Sequence, residues 1–315
     1  MSKKAAIILA ATAAIALAVF AAGEIYRRTD YTDRFIELHG TLTRGEDTCV
    51  GEADGHLLYE IFLENSSGIQ TNGFMKVPAD AQDKCPVLLI LGGLRTGRKN
   101  IEYIHGTRGI ILLALDYPYG GKITQMSAWE FIRWIPEIRR AVINTIPATM
   151  SAIDYLLSRG DVDPERIIVI GGSLGAFFVP AHAAADDRTA AAVMIFGAAD
   201  IQGVLSSMTE IPRPLAKPAG WLGGVLVSPV EPLKYMESIP PRPLLIISGT
   251  EDSEIPVECS LLLHEAAREP KTIKWMETGH VTIRDTEFHE MIKRELVDWL
   301  VSEGLVEREC FILDQ

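Results

Sequence analysis

The sequence predicts an α/β protein in which a mostly parallel central sheet is flanked by helices. Three observations carry that expectation. Short apolar runs without alternation recur at Val87–Leu91, Ile110–Leu115, Ile167–Ile170, Ala191–Phe196 and Leu244–Ile247. Such runs suit strands buried on both faces. Helical spacing fills stretches between them: Met150, Ile153, Leu156 and Leu157 recur at helical steps within Ala148–Ser158, ahead of a stop at Arg159-Gly160. Val257–Ala267 and Phe288–Ser302 have the same pattern. Strands and helices therefore alternate, as in a doubly wound sheet.

The segments ahead of this alternation differ. Lys3 and Lys4 precede an unbroken apolar stretch, Ala5–Ala22, and Glu24 is the first charge after it. About 18 apolar residues is the lower limit for a bilayer span. The basic start and small residues also fit an export signal cut at Val19-Phe20-Ala21 or Ala21-Ala22-Gly23. Residues 1–23 are expected to be a signal or membrane anchor, and 24–40 a linker. A buried helix is the remaining reading, but no helical period supplies a polar face. Lys3 and Lys4 favour an inside N-terminus, an asymmetry that Arg27 and Arg28 weaken. The main domain is then expected outside the cytoplasm, membrane-anchored or secreted. Leu57–Leu63, a turn at Glu64–Gly68 and Ile69–Val77 read as a strand pair.

The chain has 315 residues, 48% hydrophobic and 23% charged, which supports a sizeable core. No linker rich in Gly, Ser or Pro divides it, so residues 41–303 are expected to form one domain and 304–315 a tail. The net charge is −12 with no Lys/Arg-rich run, so nucleic acid is not an expected partner. Cys49, Cys85, Cys259 and Cys310 include no pair with CxxC spacing, and no thiolate metal site is expected. They read mostly as small buried apolar residues, although an oxidising compartment permits disulfides.

The chemistry is expected in loops at the C-terminal ends of the strands. After Ile167–Ile170 the chain reads Gly171-Gly172-Ser173-Leu174-Gly175. G-x-S-x-G between a strand and a helix is a nucleophile elbow: a sharp turn pushes the serine hydroxyl out of the fold, and small flanking residues permit close backbone contact. With its lead-in Val162-Asp163-Pro164-Glu165-Arg166-Ile167, the segment resembles dienelactone-hydrolase-like and acetylxylan-esterase-like members of the α/β-hydrolase superfamily. It also resembles the catalytic domains of prolyl-oligopeptidase-type peptidases. The resemblance spans residues 57–303 through motif order. It implies an α/β-hydrolase fold and a serine nucleophile, where dienelactone hydrolases proper use cysteine.

A serine nucleophile needs a base, and the base an orienting carboxylate, in chain order Ser, acid, His. Gly249-Thr250-Glu251-Asp252-Ser253-Glu254-Ile255-Pro256 resembles the superfamily's acid loop and nominates Asp252, with Glu251, Glu254 and Asp200 as alternatives. Among seven histidines, His280 follows the last expected strand, Thr272–Met276, in a short Thr278-Gly279-His280 loop. His264 and His289 fall in helical patterns and are expected on the surface; His182 lies close to the elbow. The loop after Val87–Leu91 contains Gly92-Gly93-Leu94-Arg95-Thr96-Gly97-Arg98. Its Leu94 N–H, or that of Gly93, and the Leu174 N–H are the expected oxyanion donors. Arg95 and Arg98 read either as contacts for an anionic substrate or as solvated charges. Asp116-Tyr117-Pro118-Tyr119 reads as structural, with Tyr117 at the pocket. Ile201–Ile239 breaks the strand–helix rhythm and reads as a short lid or as packing against the sheet; Trp129–Ile135 is a second apolar cover.

The expected function is cleavage of an ester or related acyl bond through an acyl-enzyme, on a small acyl substrate, with no cofactor or metal. A thioesterase or peptidase would use the same triad. The contrasting class is an inactive hydrolase fold acting as a membrane-tethered binding protein.

Overall fold

A computed structural model describes residues 2–94, 96–120, 128–208, 213–280 and 286–312. The strands are β1 (Leu42–Ala53), β2 (His56–Asn65), β3 (Gln70–Pro78), β4 (Cys85–Leu91), β5 (Ile111–Leu115), β6 (Val162–Gly172), β7 (Ala191–Ile195), β8 (Leu244–Gly249) and β9 (Lys271–Met276). They form one sheet in the order β1-β2-β3-β5-β4-β6-β7-β8-β9. The first three make an antiparallel meander joined antiparallel to β5, and every later pairing is parallel. The fold is that of an α/β hydrolase.

The unbroken apolar runs have a simple cause. Successive side chains of a strand point to opposite faces, and here both faces are covered. Val87, Leu89 and Leu91 of β4 join one core with Val169, Met194 and Ile246. Leu88 and Ile90 join the other with Ile168, Val193 and Leu245. The first core is covered by α2 (Thr32–His39), α3 (Ala128–Ser158) and α4 (Val179–Ala185), through residues such as Phe35, Ile153 and Val179. The second is covered by α8 (Thr286–Ser302) and the 3₁₀ turn Gly97–Tyr103, through Ile292, Leu300 and Ile101.

Several boundaries differ from expectation. The helix expected from Ala148 starts at Ala128 and carries Pro136 and Pro147 inside it. Residues 24–40 are more than a linker: α1 (Lys3–Arg28) extends into them, and α2 buries Phe35 completely. The tail also packs: Leu305, Val306 and Phe311 are buried, and Phe311 bridges to Thr107. His264, expected on the surface of α7 (Val257–Ala266), is buried with its Nε2 3.0 Å from Ser248 Oγ. Burial lowers its pKa to about 4. All four cysteines are free thiols; Cys85 and Cys259 are buried and Cys49 is exposed.

The expected lid divides in two. Val230, Tyr235, Met236 and Ile239 are buried in the main core. The first half forms α5 (Ile201–Ser207) and α6 (Arg213–Val227), which keep Met208, Leu215 and Leu222 exposed. Pro212 lies outside the described residues.

Candidate active site

Four loops converge at the C-terminal edge of the parallel strands. β6 ends in Gly171-Gly172, and Ser173 takes φ 52° before the 3₁₀ turn Ser173–Phe178 leads into α4. A left-handed serine costs about 1–3 kcal/mol, which the surrounding packing must offset. The elbow is compressed against β4. A Cβ on Gly175 would lie 1.9 Å from the Leu91 carbonyl oxygen, and one on Gly171 2.5 Å from the Gly175 carbonyl oxygen. Gly172 differs: a Cβ there would meet nothing within 4 Å, and its φ of −111° is open to any residue. Close approach therefore bears on Gly171 and Gly175 and not on Gly172.

Ser173 Oγ lies 2.8 Å from His280 Nε2, and His280 Nδ1 lies 2.8 Å from Asp252 Oδ2. The His280 and Asp252 side chains are buried. The other carboxylate oxygen, Asp252 Oδ1, accepts from the N–H groups of Glu254 at 2.8 Å and Ile255 at 2.9 Å. The acid and histidine loops are bonded to each other: Thr250 N–H donates to the Met276 carbonyl at 2.9 Å, and Glu251 N–H to the Thr278 carbonyl at 3.0 Å. A Cβ on Gly249 would strike the Thr278 carbonyl at 2.6 Å. Phe196, at φ 53°, sets its ring edge-on to His280 at 5.8 Å.

The alternative acids stand elsewhere. Asp200 is at the N-terminus of α5, where Glu231 Oε1 accepts its N–H at 2.9 Å. Glu231 is half-buried, and desolvation raises its pKa while three N–H groups oppose the rise. Glu254 reaches 3.6 Å from His280 Nε2 but is exposed. Glu251 meets the histidine loop through its backbone.

The loop after β4 lies against the nucleophile: a Cβ on Gly93 would be 3.7 Å from Ser173 Cβ. The Gly93 carbonyl accepts from Thr96 N–H and Thr96 Oγ1, both at 3.1 Å. In a trans peptide the N–H points opposite the C=O, so the Leu94 N–H points away from that turn. Leu174 N–H, in the first turn of its helix, has no carbonyl one turn earlier to reach. The Tyr117 hydroxyl donates to the Gly92 carbonyl, and Asp116 Oδ1 accepts from Arg98 N–H at 2.9 Å. Arg98 also pairs with Asp116 at 3.3 Å, which occupies the charge considered for a substrate anion; Arg95 lies outside the described residues.

Asp116 and Tyr117, read as structural, brace the oxyanion loop through these bonds, and Phe196 beside His280 was not singled out by the sequence. The signal for Phe196 is its position directly after β7. His182, just past the elbow, is buried with both ring nitrogens unpartnered, and burial lowers its pKa to about 4. Apolar cover comes from α5: Ile201 and Val204 form one cluster with Phe177 of the elbow turn and Ile255 of the acid loop. Trp134 of α3 packs edge-on to Tyr119 at 6.1 Å. The side chains of Trp129, Phe131 and Ile132 lie outside the described residues.

The chain is similar to known hydrolases. The family model of the prolyl oligopeptidase family matches residues 106–307. "Uncharacterized protein YfhR" of Escherichia coli (strain K12) is 25% identical over 201 residues, covering 58% of this chain and 68% of that protein. An acetyl xylan esterase from Paenibacillus sp. R4 superposes with a TM-score of 0.65 at 18% identity, covering 85% of this chain and 93% of the other. Acetyl xylan esterase 1 from Thermoanaerobacterium sp. JW/SL YS485 gives a TM-score of 0.62 at 15% identity, covering 84% and 90%. At such identities the structural likeness is one of fold.

Proposed function

The chain belongs to the prolyl oligopeptidase family, and from that premise we propose that it hydrolyses carboxylic esters through an acyl-enzyme formed on Ser173. The observation that carries this reading is the bonded series Ser173–His280–Asp252, at 2.8 Å and 2.8 Å. His280 removes the serine proton as Oγ attacks the acyl carbon, then gives it to the leaving alcohol. It next activates the water that releases the acid. Asp252 fixes the tautomer and orientation of His280 and stabilises the imidazolium. The N–H groups of Leu174 and Leu94, with Gly93 as the alternative to Leu94, receive the oxyanion.

The acetyl xylan esterases that share the fold support an ester, and the apolar cover supports an acyl group rather than a charged one. Family membership favours a second reading, peptide cleavage. A fluorophosphonate probe tests the nucleophile: it should label the wild type and leave Ser173→Ala unlabelled, and labelling that survives the substitution rejects Ser173. Matched esters and anilides of the same acyl groups test the bond. Faster turnover of the anilides would make the protein a peptidase.

The reading includes α1 as a membrane tether that holds the catalytic domain outside the cytoplasm. α1 is long and apolar enough to cross a membrane, with none of its apolar window buried. The mass of the mature N-terminus tests this, because loss of residues up to about Ala21 would mean a cleaved signal.

A further inference from the structure

α1 does not leave the body at an arbitrary place. The end of its apolar run packs on the cover of the candidate site. Phe20 stacks on Trp221 of α6 at 5.5 Å, and Glu24 Oε1 accepts from Trp221 Nε1 at 2.9 Å. Gly23 lies so close to the Trp221 ring that an added Cβ would stand 2.4 Å from it. Arg27 donates to Gln202 of α5, and Arg139 of α3 to Tyr26. α1 therefore meets α5, α6 and α3 at the level where its apolar run gives way to charge.

The cover has the composition of a surface that meets lipid. Leu215 and Leu222 of α6 and Met208 beside it are exposed. α6 carries Arg213 and Lys217 and no acidic residue, in a chain of net charge −12. Arg28, exposed at the last turn of α1, adds a third cation just beyond the apolar run. Apolar side chains beside Trp, Lys and Arg are the pattern of a bilayer interface, where rings sit among headgroups and cations meet phosphates. The 26 residues of α1 rise about 39 Å, more than the hydrocarbon thickness, so its last turns stand among the headgroups with α6.

We propose that the α5–α6 cover rests on the lipid bilayer where α1 leaves it, and that the Ser173 site takes its substrate, an ester with an apolar acyl chain, from that surface. The route is short, because α5 joins the α6 surface to Phe177 and Ile255 beside the nucleophile and acid loops. The claim about substrate rests on the ester-hydrolase reading; the claim about the surface does not.

The full chain in phosphatidylcholine–phosphatidylglycerol vesicles provides the test. The photo-crosslinker p-benzoyl-phenylalanine is placed in turn at Leu9 in α1, at Leu215 and Leu222 in α6, and at Glu303 just past α8, on the opposite face of the sheet. Lipid adducts are expected at the first three positions and not at Glu303. Adducts at Leu9 without adducts at Leu215 and Leu222 would overturn the surface, as would crosslinks from α6 to a second copy. An absence of lipid adducts at Leu9 would overturn it too. A Leu215→Asp, Leu222→Asp variant tests the substrate. It should lose about tenfold or more on a long-chain ester dissolved in the vesicles and keep its rate on water-soluble p-nitrophenyl acetate. Equal losses on both esters would overturn the claim about substrate. A wild type inactive on both while α6 still crosslinks to lipid would overturn the ester reading and leave the surface standing.

Discussion

The elbow and the cover sit on the same site and are built by opposite rules. At the elbow, Ser173 is held in a left-handed conformation by backbone pressed on backbone, with no room for a methyl group at Gly171 or Gly175. The cover is held by side chains: Trp221 against Phe20 and Glu24, and Arg27 against Gln202, with leucines left facing outward. The chemistry demands a fixed Oγ, so its support is over-determined. Choosing an acyl group needs only an apolar surface of suitable shape, which admits many packings.

The sharpest test of this contrast is Ser173→Ala, expected to lower kcat/KM by about 10⁴-fold or more while the melting temperature stays near wild type. Next comes Gly175→Ala. Its methyl would enter the Leu91 carbonyl, and overpacking against backbone costs at least about 1–3 kcal/mol, read as a lower denaturant midpoint. Gly172→Ala, two residues before the serine's neighbour Leu174, should stay within about 0.5 kcal/mol of wild type, since nothing lies in its way. If both glycines behave alike, the elbow is not held by close contact.

The next effect is one of pH. His182 and His264 are buried, with pKa values lowered to about 4 from the usual 6.5. Between those values the unfolded chain binds protons that the folded chain refuses. Stability should therefore fall as pH drops from about 6.5 toward 4, by up to about 3 kcal/mol for each histidine. Urea midpoints over that range, compared with those of His182→Phe, check the sign and the residue. Tyr117→Phe should give a small change in activity, about tenfold or less in kcat with little change in KM. It removes one bond that positions the oxyanion loop, worth about 1 kcal/mol.

The same contrast governs how much was legible in the sequence. The candidate residues could be read because each follows its own strand in a fixed order, and Ser173, His280 and Asp252 lie in one hydrogen-bonded series. The two-faced burial of β4 to β8 was legible because it leaves no polar position. Other features depend on what an element packs against, which periodicity does not reveal. His264 shares the helical pattern of a surface residue, and only contact with Ser248 and Trp275 buries it. α2 has only eight residues and is placed by contacts its period does not show: Phe35 fully buried, Leu38 packed beside it and His39 paired with Asp154. The spacing reveals α3 only from Ala148, although the helix starts at Ala128 and carries two prolines inside it. The apolar stretch 201–239 looked uniform, although its second half is core and its first half is cover.

The bonds between the acid and histidine loops have a consequence of their own. Thr250 to Met276 and Glu251 to Thr278 continue the β8–β9 pairing beyond the ends of both strands. Asp252 and His280 are thereby mounted on one bracket, whereas Ser173 is mounted on another, three strands inward at β6. A shift of the sheet's edge carries His280 and Asp252 together and leaves their separation unchanged. The assembly then has a single adjustable gap, the one between Ser173 Oγ and His280 Nε2.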